Sequence, residues 1–411
     1  MHNTTKHRWR TLLVVAAALL AGSMAQADVV TDWNITAGDI AVAAKLPPPP
    51  AYRVMAMVQS AVYEAVNAIT KRYPPDRVTL DAAPGASVEA AVAAANRATL
   101  LKLVPSQQAA IDSAYQTALS AIAESPVKTA GLAVGDKAAA AILTLRADDS
   151  AAAAESYRPH TTAGVYVPTV IPAVPHWPQR KPWVMTSADQ FRPGPPPSLT
   201  SDLWARDYNE IKALGAKNST HRSAEQTDIA RFWADIVSLP YFPVVRSVAT
   251  APGREPTQNA RVLAVAAQAI DDALIAVFDA KYHYNFWRPI TAIRNGDTDG
   301  NDATERDASW LPFIDTPMHP EYPCAHCILS AAVGTVLQAE IGTGPTPTLS
   351  TTSLMAPGMV RSWTKIGDFV QEVANARIYD GVHYRNSTEV GTAMGKQIGE
   401  LAAAKYLRPL K

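Results

Sequence analysis

At 411 residues the chain is long enough for one large domain or two ordinary ones, with a well-buried core. Apolar residues make up 48%, and 37 basic residues balance 37 acidic ones. This composition excludes a disordered or collagen-like chain and a nucleic-acid binder driven by global charge.

The first residues read MHNTTKHRWRTLLVVAAALLAGSMAQADVV. Lys6, Arg8 and Arg10 make a basic start, and an apolar stretch from Thr11 to Gly22 is too short to span a bilayer. Small residues at 25–27 then offer a cleavage site after Ala27. The pattern predicts a secretory signal over 1–27, with an uncleaved anchor as the alternative. Cleavage removes three basic residues and no acidic one, leaving 34 against 37, a net charge of −3. The expected product is exported, periplasmic or secreted, with no stable membrane span and no pull toward nucleic acid. In an oxidising compartment Cys324 and Cys327 can bridge.

Helical periodicity dominates the rest. The stretch 51–69 places Val54, Met57, Val58, Ala61, Val62, Ala65 and Ile69 on one stripe, with Pro47 to Pro50 expected to stop it extending backwards. Ala-rich helices are expected over 87–104, with Ser87 as N-cap, then over 106–124 and 127–147. From 148 to 199 the chain turns dense in Pro and aromatic residues, an irregular excursion expected to pack over the surface and line a site. Helices resume at 201–216, 223–239 and 259–288, the last ended by Pro289, and after a Gly/Asp-rich loop at 326–342, 362–381 and 387–407. No strand runs of useful length stand out. The fold class is therefore all-α, a bundle-like single domain over 28–411.

Three stretches in the last third carry chemistry. In KYHYNFWRP (281–289), Lys281 and Arg288 lie seven apart, two turns of a helix, amid residues too apolar for open surface. Two stacked cations there want an anion between them. In EYPCAHC (321–327), Pro323 suits a first helical turn. The backbone N–H groups of Cys324 and Ala325 become free donors at the helix start, beside His326. In ARIYDGVHYRNS (376–387), Arg377 ends a helix, Gly381 breaks it, and His383 sits on the connection. Cations, helix amides and two imidazoles together meet the needs of a tetrahedral oxyanion and of proton transfer beside it. Metal-clip and redox readings of the cysteines fit less well. Ile328 stands where haem attachment needs His, no second cysteine pair completes a zinc site, and the βαβ context of a dithiol motif is missing.

The order Lys–six–Arg–Pro, Pro–two small–His, Arg–five–His over about 223–407 resembles the signature of the vanadium-dependent haloperoxidase and PAP2-type acid phosphatase superfamily. The chain length and earlier helices resemble its bacterial haloperoxidase-type branch. The resemblance implies vanadate, or phosphate in the same site, held by Lys281, Arg288 and Arg377, with Cys324 and Ala325 at its rim. His383 is implied as the vanadium ligand, or as the phosphohistidine nucleophile, and His326 as the general acid–base. The implied partners are hydrogen peroxide and halide, or a phosphate ester. Phe278 and His319 match positions near the halide, and Asp235 matches a carboxylate that orients the acid–base histidine. A non-catalytic oxyanion-binding protein is a further reading. The oligomeric state stays open, a homodimer included.

The chain departs from the pattern at four small residues. Cys324 and Ala325 replace the usual Ser-Gly, Ala376 replaces Ser before Arg377, and Ser387 replaces an Asp four residues after His383. A thiol beside peroxide should oxidise. A Cys324–Cys327 disulfide, a phosphate-ester substrate, or a buried protonated thiol would each resolve this, and the sequence does not choose.

Overall fold

The computed structural model describes residues 28–75, 77–149 and 156–406. The expected signal over 1–27 lies outside them. Among the described residues there are thirteen α-helices and one two-stranded sheet.

α1 (Val29–Ala43) starts on Asp28, whose side chain accepts from Thr31 N at 2.9 Å. α2 (Pro48–Thr70) follows. Here three prolines lie inside the first turn instead of blocking it, because first-turn N–H groups have no intrahelical partner to lose. α3 (Val88–Leu103), α4 (Gln108–Ser120) and α5 (Pro126–Leu145) match the Ala-rich stretches. Their small residues permit close approach. A Cβ at Gly135 of α5 would sit 2.3 Å from the Ala91 carbonyl of α3.

The Pro-rich excursion is irregular as expected, apart from a 3₁₀ turn at Trp177–Gln179. Trp177 and Trp183 are buried, so it packs as part of the core. Its Gly164–Tyr166 segment bonds the chain at 285–287: Tyr166 N donates to Asn285 O at 2.8 Å, and Trp287 N to Gly164 O at 3.0 Å.

α6 (Asp202–Leu214) leads to α7 (Ala224–Trp233), which stops six residues short of the expected end. Asp235 draws the N–H groups of Val237 and Ser238 into a turn, and α8 (Tyr241–Ala249) begins after it. α9 (Pro256–Tyr284) is apolar nearly all round and buried along most of its length, as a central helix must be. It ends at Tyr284, with Asn285 left-handed at φ 50°. Pro289 does not end it but opens α10 (Pro289–Arg294), with Arg288 as N-cap.

α11 (Ala325–Ile341), α12 (Ile366–Tyr379) and α13 (Arg385–Tyr406) complete the second bundle. α13 lies directly on α11: Cβ atoms at Gly391 and Gly395 would meet the Cys324 and Ile328 carbonyls at 2.6 and 2.2 Å. Between α11 and α12 an unexpected hairpin pairs β1 (Leu349–Thr352) with β2 (Val360–Trp363), Leu349 opposite Trp363. α12 therefore begins at Ile366 and not at 362. Among the described residues no helix is long and apolar enough to cross a membrane.

Candidate active site

The site forms where the C-terminal end of α9, the start of α11 and the α12–α13 turn meet. Lys281 comes from the last turn of α9. Arg288 is not stacked above it on one helix, as its spacing predicts. The left-handed Asn285 turns the chain, and Arg288 approaches from the α10 N-cap. Arg377 projects from the last turn of α12. Gly381 then takes φ 78°, with its α-carbon so close to the Gly215 carbonyl that a Cβ would lie 2.4 Å from it. That tight turn delivers His383 to the same place.

All three cations are buried. Lys281 Nζ donates to the carbonyls of Pro320 and Glu321 at 3.0 and 2.7 Å. Arg288 donates to the carbonyls of His319 and Val382 at 2.9 and 2.8 Å, to His383 Nε2 at 3.3 Å and to His319 Nδ1 at 3.0 Å. Neither touches a carboxylate in these contacts. Burial, then the Arg288 charge, holds the Lys281 ammonium well below the usual lysine range. Burial brings Arg288 down to about 10. Arg377 does have a counter-ion, Asp380, at 2.5 Å, and donates to Trp233 O at 2.9 Å. The hairpin supports that contact from behind, since Trp363 packs against Trp233 with ring centroids 5.9 Å apart.

Both imidazoles lie in the field of these cations. Burial, then Arg377, Lys281 and Arg288, push His326 far below the ordinary histidine value. Burial, then Arg288, Lys281 and Arg377, do the same to His383. Each ring is neutral at pH 7. His326 Nε2 is buried with no hydrogen-bond partner, and so is Arg377 Nε. Orphaned buried polar atoms are costly unless a guest satisfies them.

At the start of α11 the N–H of Cys324 is not free, contrary to expectation. It donates to the Ser387 carbonyl at 3.1 Å. The helix begins at Ala325, one residue on, so the free amides belong to Ala325 and His326, with no acceptor among the described residues. Cys324 and Cys327 form a disulfide, with Cα atoms 5.4 Å apart. Cys324 Sγ caps the helix by accepting from Cys327 N at 3.2 Å, and it has no proton to give. Cys324 thus drops out as an oxyanion donor. Because the sulfur is already oxidised, the conflict with peroxide disappears as well.

Phe278 and His319 do sit together beside Arg288, their rings edge to face at 5.3 Å. His319 Nδ1 faces both the Arg288 guanidinium at 3.0 Å and the Pro320 carbonyl at 3.1 Å. Asp235 is elsewhere. Its carboxylate receives Val237 N, Ser238 N, Ser238 Oγ and Leu354 N, tying the α7–α8 turn to the hairpin, and it makes no bond to His326. The role expected for it came from the family resemblance alone, not from any local spacing.

Sequence reasoning missed two carboxylates. Asp380, fully buried and pushed up to about 7 by burial against the pull of Arg377, was legible as the i+3 partner of Arg377. Glu321 opens the cysteine heptapeptide, and its Oε1 lies 2.7 Å from His383 Nδ1 and 3.1 Å from Tyr384 N. Burial raises it to about 7, with Lys281 and Arg288 pulling the other way. No spacing rule links position 321 to 383. A cavity of about 360 Å³, lined by Tyr166, Thr291, Phe313, Pro317 and Met318, reaches Arg288 from a rim where Leu311 and Met318 are exposed.

A helical bundle whose core gathers three buried cations and two imidazoles defines the class, and this is the fold of the vanadium haloperoxidases. Residues 261–411 match the family model described as the VCPO second helical-bundle domain. The structure of the first bacterial vanadium-dependent iodoperoxidase superposes with a TM-score of 0.78 at 25% identity, covering 92% of this chain and 95% of that one. A holo-type bacterial vanadium-dependent chloroperoxidase superposes at 0.69 with 16% identity, covering 88% and 93%. The vanadium chloroperoxidase of Curvularia inaequalis is 27% identical over 179 residues, a stretch covering 36% of this chain and only 29% of that protein.

Proposed function

We propose that the protein is a vanadate-dependent haloperoxidase that oxidises halide with hydrogen peroxide. The observation that carries this reading is the convergence of Lys281, Arg288 and Arg377 on two neutral imidazoles, with too few carboxylates to balance them. Vanadate fits the donor set. The three cations and the Ala325 and His326 amides would neutralise its oxygens, and His383 Nε2 would hold the metal. When bound, vanadate supplies a Lewis acid that activates hydrogen peroxide toward halide at a constant oxidation state.

The chain's own residues do the rest. His326, neutral with a free Nε2, accepts a proton from incoming peroxide and returns one to the departing oxygen. The buried cations keep that ring uncharged until an anion arrives. Small reactants enter through the cavity at Arg288, and Phe278 and His319 border the halide. Export through the 1–27 segment, a single working unit over 28–411 and a soluble homodimer belong to the same proposal.

The test is bromide- or iodide-dependent halogenation of a dye, with and without added vanadate. Activity should appear only with vanadate and fall to background in His383→Ala. Phosphomonoesterase activity inhibited by vanadate, without halide oxidation, would favour the phosphatase reading. Tight phosphate binding with neither activity would leave a non-catalytic oxyanion binder.

A further inference from the structure

We propose that Glu321 is a positioning residue that fixes the proton of His383 on Nδ1 and so presents the Nε2 lone pair to the oxyanion. The inference rests on the reading of His383 as the ligand, and it concerns a residue to which no motif assigned a role.

The geometry sets the tautomer from both sides. A guanidinium has no acceptor, so the Arg288 Nη1–H that lies 3.3 Å from Nε2 donates to it, and Nε2 carries the lone pair. The proton is then on Nδ1 and points at Glu321 Oε1, 2.7 Å away. That oxygen also receives the Tyr384 N–H at 3.1 Å, a group that can only donate, which marks it as an acceptor. A carboxylate behind an imidazole fixes the ring's orientation and raises the basicity of the opposite nitrogen. Glu321 is fully buried, its Oε2 has no hydrogen-bond partner, and its one ion-pair contact is with the His383 ring.

Ser387 cannot take the place of that carboxylate. It lies one helical turn after His383, with Oγ 3.5 Å from Nδ1, too long for a firm bond. An aspartate there would extend one bond further and meet the ring. The acid against Nδ1 in this chain comes from the segment preceding α11.

The experiment compares wild type, Glu321→Met, Ser387→Asp and the double variant. Binding of inorganic vanadate and of inorganic phosphate is measured calorimetrically, with thermal melts as the folding control. Glu321→Met should weaken vanadate roughly 10- to 100-fold. Phosphate, held by charge without a bond to Nε2, should bind unchanged or tighter, since a nearby negative charge is gone. Ser387→Asp added to Glu321→Met should restore vanadate affinity. Equal loss of both anions, unaltered vanadate binding, or failure of the double variant to recover would each overturn the proposal. Nitrogen-15 NMR of histidine-labelled wild type gives a check that no variant can confound: His383 should carry its proton on Nδ1, and a proton on Nε2 ends the case. None of these readouts uses turnover, so absence of halide oxidation would sink the peroxidase reading alone.

Discussion

The molecule buries two clusters of cations, and they are built on opposite principles. In the first bundle Arg53 pairs with Asp149 and Asp271, and Arg180 reaches Asp149 at 3.6 Å. Arg146 donates to the carbonyls of Lys181 and Pro182 while stacking on Trp183, its carbon 3.6 Å from the ring centroid. Asp272 secures the same loop by accepting from Trp183, Val184 and Met185 N. Charge there is answered from within the protein. In the second bundle Lys281 and Arg288 find only carbonyls and imidazoles, and one acid of the pair present is spent on His383. A buried cation cluster with its own counter-ions is a structural joint. One without them is a place for a guest, because desolvated like charges repel until an anion enters.

The largest effect should come from breaking the first cluster. Arg53→Ala strands two buried aspartates and should cost about 3–5 kcal/mol of stability. Urea unfolding measures this, and added phosphate should not recover it. If phosphate did, the two clusters would not differ in kind.

Lys281→Met gives the reverse pattern. Removing an unmatched cation should leave the empty protein as stable as wild type or more so. Oxyanion affinity should fall roughly 10- to 100-fold, as expected for losing a charged hydrogen bond. A variant as destabilised as Arg53→Ala would contradict the comparison.

Proton linkage sharpens it further. Burial and mutual repulsion hold the Lys281, His326 and His383 values below their usual ranges, so entry of an anion raises them and the complex binds protons. Affinity for a given charge state of phosphate should therefore rise as pH falls, by up to about tenfold per pH unit for each proton taken up. Calorimetry in two buffers of different ionisation enthalpy should report uptake, and net release would be inconsistent with an unbalanced cluster.

The smallest effect is expected at the rim. Reducing the Cys324–Cys327 bridge closes no long loop and should cost about 2 kcal/mol or less. The Cys324→Ser, Cys327→Ala variant puts back a hydroxyl donor and should bind phosphate slightly more tightly than wild type, by direct titration.

Much of this was readable along the chain. Helix positions followed from the 3.6-residue apolar repeat, and the charge skeleton Lys281, Arg288, Arg377, His326 and His383 followed from short motifs whose members share a turn or a helix end. Errors collected where local pattern meets a tertiary demand. Asn285 turned a presumed continuous helix away from Arg288, Asp235 served a turn and a hairpin instead of His326, and Cys324 spent its amide on Ser387.

What the sequence determined by itself was therefore the helical class and the identity of the charged groups and imidazoles that gather at the candidate site, because periodicity and cap chemistry are local. Only the tertiary structure decided which acid serves which base. Glu321 and His383 are 62 residues apart, and their 2.7 Å contact exists because glycines in α13 let it lie on α11. Contact between distant side chains is a property of packing, which no local spacing encodes.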